Sequence, residues 1–205
     1  MTTEDYLKLH MSAVPDVLEQ LEKETWQKLV NPRMCSGAYQ GRLLSALSKM
    51  IRPQNILELG TFTGYSALCL LEGLATDGKM MSLELNEELS WMHKKYLNDP
   101  RLELRYGNAM ETLLSLALSE VDLVFVDADK KNYMNYLHRL EKGLRTGAWV
   151  LLDNVLWSGK VLEPAAEGDT DTLVLQELNQ YLAESSSWET IILPIRDGLT
   201  IARRN

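Results

Sequence analysis

The chain has 205 residues, 45% of them hydrophobic and 24% charged, an ordinary globular composition with material for one substantial core but not for two. A formal net charge of −8 excludes a general attraction to nucleic acid and leaves only a local basic patch for that role. Cys35 and Cys69 make no motif with each other or with a histidine, which argues against a disulfide framework or a zinc site.

The opening MTTEDYLKLHM carries acids where a secretory leader needs basic residues, and no apolar run approaches the ~18 residues of a membrane span. The expectation is a soluble cytoplasmic protein with no membrane partner. Two helices are predicted first, near Glu4–Met11 and over Asp16–Val30, where Leu18, Leu21, Trp26 and Leu29 recur near helical spacing and Pro32 ends the run. A third, GRLLSALSKMI (Gly41–Ile51), places Leu43, Leu44, Leu47, Met50 and Ile51 on one face. From Asn55 the texture changes. The strand-like runs NILELG, KMMSLEL, LELRY, VDLVFVDAD and AWVLLDN alternate with helical GYSALCLLEGLA, Asn86–Leu97, AMETLLSLAL and NYMNYLHRLEKGL. Strands alternating with helices of about ten residues imply βα units on a parallel sheet. A helix near Thr172–Glu184 then leads into WETIILPI and DGLTIARR, joined through Arg196-Asp197-Gly198, which predicts a hairpin and one antiparallel edge strand. The expected fold is α/β: a doubly wound, mostly parallel seven-stranded sheet with an antiparallel C-terminal hairpin. Residues 1–51 form a helical cap on a core of 52–205, together one domain.

Ligands of open α/β sheets sit beyond the carboxyl ends of the strands. In ILELGTFTGYSA an apolar strand delivers Glu58, Gly60 and Gly64 allow a sharp turn, and Ser66 falls at the start of the next helix. The spacing is G-x-x-x-G, not the G-x-G-x-x-G that a pyrophosphate needs. It suits a ligand without phosphates that carries an amino acid group, or equally a purely structural turn. Glu84, ending the second strand, stands where an acid holds the two hydroxyls of a ribose; the alternative is an acid favouring the next helix start, as Glu87 and Glu88 do. Asn108 and Ala109, after the third strand, are placed to face an adenine or simply to close the loop.

The sharper signal is a pair of acids. Val124-Phe125-Val126 ends in Asp127, and Val150-Leu151-Leu152 ends in Asp153-Asn154. On neighbouring strands ~4.8 Å apart these carboxylates converge, and they repel unless one is protonated or a cation lies between them. Asp127, Asp153 and the Asn154 side-chain carbonyl are hard oxygen donors suited to Mg²⁺ or Mn²⁺. Either acid alone reads as a cap; the set of three reads as a metal site. Lys130 beside them is either a general base or a solvated lysine, and Asp129 faces either a cofactor or solvent. His10, His93 and His138 fall in amphipathic helical stretches and are assigned no chemistry.

ELGTFTGYSAL, FVDADKKNY, LLDNVLWSGKV and LPIRDGLTIARR occur in the order and spacing of the cation-dependent O-methyltransferases, the group of catechol and caffeoyl-CoA O-methyltransferases. The chain resembles that family from Met34 to Arg204, and Ser36–Leu44 is similar to a segment of its small bacterial members. The resemblance implies a Rossmann-like methyltransferase fold, S-adenosylmethionine as cofactor, and Mg²⁺ (or Mn²⁺ or Ca²⁺). It places the backbone of Cys35 and Ser36 along the cofactor's methionine part. Glu58, Gly60, Thr61 and Ser66 match the first cofactor loop, Glu84 the ribose acid, Ala109 the adenine side, and Asp129 an acid approaching the cofactor. Asp127, Asp153 and Asn154 match the metal ligands, with Asp127 serving cofactor and catalysis as well. Lys130 matches the base of the animal catechol enzymes, although the residues between it and Asp127 are Ala-Asp here. The implied reaction is methylation of a metal-chelated hydroxyl on a small phenolic or catechol acceptor, walled by Trp157 and the loop to Pro164. Ser158 stands where the plant enzymes have Asn, so their acyl-CoA specificity is not implied. A homodimer is implied. Competing readings are methylation of a wobble 5-hydroxyuridine in tRNA, which Arg33, Arg42 and Lys49 keep open, a nicotinamide-dependent oxidoreductase, and a non-catalytic S-adenosylmethionine-binding module.

Overall fold

The computed structural model describes residues 6, 7 and 9–205, and the helix expected near Glu4–Met11 lies partly outside them. Strands β1 (Asn55–Leu59), β2 (Lys79–Glu84), β3 (Leu102–Tyr106), β4 (Leu123–Val126), β5 (Trp149–Asp153), β6 (Trp188–Leu193) and β7 (Leu199–Arg204) form a seven-stranded sheet in the order β3-β2-β1-β4-β5-β7-β6. β1 to β5 are parallel, and the chain winds outward from β1 to β3 before returning to β4 on the other side of β1. The switch in strand order therefore falls between β1 and β4, where an open sheet forms its ligand crevice.

The C-terminal hairpin is present, with one correction to its expected place. β7 pairs antiparallel to both β5 and β6, so it lies inside the sheet, and the edge strand β6 runs in the same direction as β1–β5. Burial explains the choice: Leu199, Thr200 and Ala202 of β7 are buried, whereas β6 leaves Ile191 and Ile192 exposed. The more apolar-facing strand takes the interior, and the edge goes to the strand that tolerates water.

Helices α1 (Asp16–Lys28), α2 (Gly37–Ile51), α3 (Tyr65–Leu71), α4 (Ser90–Tyr96), α5 (Ala109–Ser115), α6 (Tyr133–Gly143) and α7 (Thr170–Glu184) cover both faces. Ile56, Phe125, Leu151 and Leu199 pack with Leu18, Leu21, Leu44, Leu70 and Met92 from α1–α4. Leu57, Leu59, Val124, Val126, Val150 and Leu152 pack with Leu113, Leu137, Leu140, Leu175 and Leu178 from α5–α7. Successive strand residues alternate between these layers, the period-two rule of a pleated strand. By the same alternation Glu58, Asp127 and Asp153 fall on the α1–α4 side.

Two expected core positions are exposed. Trp26 is 54% accessible because it lies one position past buried Thr25, about 100° round the helix from the Leu18–Leu21 face. Met50 is 81% accessible, and α2 turns Gln40, Gly41, Leu44, Ser45 and Ser48 inward instead. That helix starts at Gly37, earlier than its apolar pattern indicated, because its buried face is built from small and polar residues. Among the described residues no helix is long and apolar enough to cross a membrane.

Candidate active site

Glu58 is fully buried at the end of β1; Ser66 of α3 donates to its Oε1 at 2.6 Å, and Ser82 of β2 donates to its Oε2. Burial pushes the carboxyl up to about 8, against the pull of those two hydroxyls. Gly60 follows with φ +95, and a Cβ there would stand 2.1 Å from the Asp127 carbonyl oxygen, so only glycine lets this loop lie against the exit of β4. Thr61 is buried, its hydroxyl 2.5 Å from that of Ser82.

Glu84 accepts from the backbone N–H of Phe62 at 2.6 Å and of Asn86 at 2.7 Å, tying the first loop to the end of β2. The short helical turn after β2 is capped by Asn86, whose side chain accepts from the Glu88 N–H at 3.0 Å. Glu84 is thus at the loop, not the helix start. Asn108 caps α5, accepting from the Met110 N–H at 2.8 Å, and so points away from a ligand role while starting the helix at Ala109. Cys35 and Ser36, both buried, line a narrow cleft with Gly60, Thr61, Ser66 and Asp127. Burial raises the Cys35 thiol to about 11, which makes it inert.

The register Val126↔Leu152 sets Asp127 and Asp153 side by side at the ends of β4 and β5. Asp153 is 4% exposed; Gln40 of α2 donates to its Oδ2 at 2.6 Å and the Asn154 N–H donates to its Oδ1 at 2.8 Å. Burial, and after it the Asp127 charge, hold the Asp153 carboxyl well above the usual carboxylate range. Asn154 has φ +63, a conformation asparagine adopts more readily than most residues. Lys130 is mostly buried, and its ammonium donates to Asp127 Oδ1 at 2.9 Å, to the Ala128 carbonyl at 3.2 Å and to the Tyr133 hydroxyl at 2.7 Å. All three of its donors are used, so it is not a solvated lysine. The Asp129 carboxylate accepts from Tyr136 and from Asn132, each at 2.6 Å, which turns it onto α6.

A buried acid, a half-buried acid and an amide are a donor set of oxygens that fits a hard divalent cation. Among the described residues no group of three or more His, Cys, Asp or Glu is placed to hold a metal ion. Beyond it, Trp157 is half-buried against the α5–α7 layer and Ser158 is exposed.

Three further residues belong to this region. Gln40 bonds Asp153 as described. Tyr133 is fully buried, its single O–H shared between the carbonyls of Val126 and Asp153, each at 3.1 Å, while its oxygen accepts from Lys130. His93 is a buried packing residue; it meets the Phe62 carbonyl at 2.6 Å and the Tyr106 hydroxyl at 2.8 Å, bracing the first loop from behind. A Lys-x-x-Tyr spacing and a glutamine on a buried helix face were the available signals; for His93 there was none. Two larger cavities, about 330 and 410 Å³, open at the opposite ends of the strands beside Arg52–Trp149 and Lys79–Val121, away from every one of these acids.

Residues 9–205 match the O-methyltransferase family. The chain is 33% identical to a caffeoyl-CoA O-methyltransferase of Medicago sativa, over 94% of this chain and 81% of that protein. It is 34% identical to caffeoyl-CoA O-methyltransferase 1 of Eucalyptus globulus, over 93% and 82%. The crystal structure of an SAH-bound methyltransferase from Podospora anserina superposes with a TM-score of 0.88 at 26% identity, covering 98% of this chain and 93% of that one. From sequence and fold alike, the chain belongs to the O-methyltransferase family.

Proposed function

We propose that this protein transfers the methyl group of S-adenosylmethionine to one of two neighbouring hydroxyls on a small phenolic, catechol-like acceptor, with a divalent cation held by Asp127, Asp153 and Asn154. The observation that carries the reading is the side-by-side placement of Asp127 and buried Asp153, whose carboxyl is raised by burial and by its neighbour's charge. A cation between them relieves that repulsion.

Glu58 and Ser66 are placed to fix the amino acid end of the cofactor, and Glu84 its ribose. The Cys35–Ser36 backbone, Gly60 and Thr61 line its methionine side, with Ala109 at the adenine end; for Asp129 to approach the cofactor its carboxylate must release Tyr136 or Asn132. A cation bound at the acid pair would lower the pKa of an acceptor hydroxyl and fix the direction of its oxygen. Lys130 holds Asp127 and Tyr133 in register; to act as base it would first have to lose one of its three protons to solvent, giving up one of these hydrogen bonds, and present the freed lone pair to the acceptor's hydroxyl. Trp157 and Ser158 wall the acceptor, and holding both reactants in line supplies much of the rate.

The same reading takes residues 1–205 as one domain that acts as a homodimer in the cytoplasm. Exposed Trp26 and Val30 offer apolar surface for such pairing, and sedimentation equilibrium checks it. To test acceptor class, labelled S-adenosylmethionine is offered with Mg²⁺ to catechol and to bulk tRNA in parallel. Label in catechol alone supports the reading. Label in tRNA alone overturns it.

A further inference from the structure

The connection between β6 and β7 is held on both sides. Arg196, with φ +49, donates from Nη1 to the carbonyl of Cys35 at 2.8 Å and to that of Ser36, and from Nη2 to the carbonyl of Arg33 at 3.0 Å. These carbonyls belong to the strap that runs from the Pro32–Met34 turn into α2, and the strap lines the cleft opposite Gly60–Ser66. A planar guanidinium with five donors reaches three carbonyls at once, which a lysine ammonium on a flexible stem does less well.

The next residue faces the other way. The Asp197 carbonyl accepts from the N–H of Leu156 at 2.8 Å and of Trp157 at 3.3 Å. Its Oδ1 accepts from the Ser158 N–H and, at 3.2 Å, from the Ser158 hydroxyl. Trp157, Ser158 and Gly159 have φ +48, +54 and +81, three left-handed residues in succession, which non-glycine side chains hold only where their surroundings impose it. Gly198 completes the grip: it accepts from the Val155 N–H at 3.2 Å, and a Cβ on it would stand 2.7 Å from the Leu156 nitrogen.

We propose that Arg196 and Asp197 are paired positioning residues, by which one hairpin tip sets both the strap over the cofactor cleft and the loop that walls the acceptor. The inference rests on the methyltransferase reading above. Neither side chain touches a reacting atom. Their effect is on alignment, where a displacement of about 1 Å is enough to cost about a hundredfold in rate.

The test uses the full chain and three readouts: S-adenosylhomocysteine affinity by calorimetry, catechol kinetics, and hydrogen–deuterium exchange resolved over residues 31–37 and 154–160. Arg196→Ala is expected to weaken S-adenosylhomocysteine about tenfold and to raise exchange over 31–37 alone, with partial recovery in Arg196→Lys. Asp197→Ala is expected to leave that affinity within about twofold, raise the catechol KM about tenfold and raise exchange over 154–160 alone, with partial recovery in Asp197→Asn. Exchange that rises equally over both segments for either alanine change would overturn the proposal, since the turn would then only stabilise the fold. So would an unchanged affinity in a folded Arg196→Ala protein. If the wild type methylates no catechol, the acceptor reading fails, and the affinity and exchange patterns still decide the role of the turn.

Discussion

Gln40 Nε2 donates a 2.6 Å hydrogen bond to Asp153 Oδ2 across 113 positions of sequence, joining α2 to the end of β5 beneath the acid pair. Both side chains are buried, so neither can replace the other with water. Replacing Gln40 by Ala leaves a buried carboxyl short of a partner, a loss of about 1–3 kcal/mol. The expected outcome is a lower melting temperature without metal and weaker Mg²⁺ binding by calorimetry, with S-adenosylhomocysteine affinity little changed. Unchanged Mg²⁺ affinity in Gln40→Ala would remove Gln40 from the site.

Glu58 gives the cofactor site a pH dependence. Its carboxyl, raised to about 8 by burial, is neutral in the free protein at pH 6 and ionised well above pH 8. Because the folded pKa lies above the unfolded one, ionisation lowers the stability this group contributes as pH rises from about 4.5 to about 8. Binding runs in the opposite sense. The ammonium of S-adenosylhomocysteine favours the carboxylate, so a proton leaves on binding and affinity rises with pH, by up to about tenfold per unit below 8. Calorimetry from pH 6 to 8.5 in buffers of different ionisation enthalpy measures both. Glu58→Gln is expected to bind weakly with a flat profile, and a flat wild-type profile would contradict the assignment.

Acid stability has a separate source. Glu72, just past α3, accepts from Arg42 at 2.5 Å, Lys49 at 2.6 Å and Ser45 at 2.7 Å, pinning α2 to α3. Partial burial pushes its carboxyl up, but these three partners outweigh burial and hold it near 2. The contribution is therefore full above about 4.5 and is lost as pH falls towards 2. Since the network is partly exposed, about 1 kcal/mol is expected, or 2–4 °C in melting temperature. Glu72→Gln should show that deficit at pH 7 and a shrinking one as pH approaches 3. A deficit that does not vary with pH would place the effect in packing instead.

Much of this architecture was legible from residue patterns alone. β4 and β5 are short apolar runs stopped by an acid, and a buried parallel strand with a carboxyl at its end has that appearance. Asp127 and Asp153 were expected at neighbouring strand ends for that reason, and the β4–β5 register puts them there. What stayed hidden depends on contacts between distant segments. Gln40 reads as a polar residue on a helix whose strongest apolar pattern begins one position later, and its partner is on another strand. His93 sits in an amphipathic stretch, yet it is its three-dimensional neighbours, Phe62 and Tyr106, that give it a role. The interior place of β7 followed from relative burial of two strands with similar propensity, which no local signal separates. The direction of the Asp129 carboxylate was likewise decided by Tyr136, seven residues on and one helix turn away from the loop.

The central claim is metal-assisted methyl transfer at the Asp127–Asp153 pair. The most direct measurement follows labelled methyl from S-adenosylmethionine to catechol in Mg²⁺ and in EDTA, for the wild type and Asp153→Ala. Turnover that requires Mg²⁺, stops in EDTA and falls at least about a hundredfold in Asp153→Ala is the predicted result. Turnover that persists in EDTA, or an Asp153→Ala protein as active as the wild type, would contradict it.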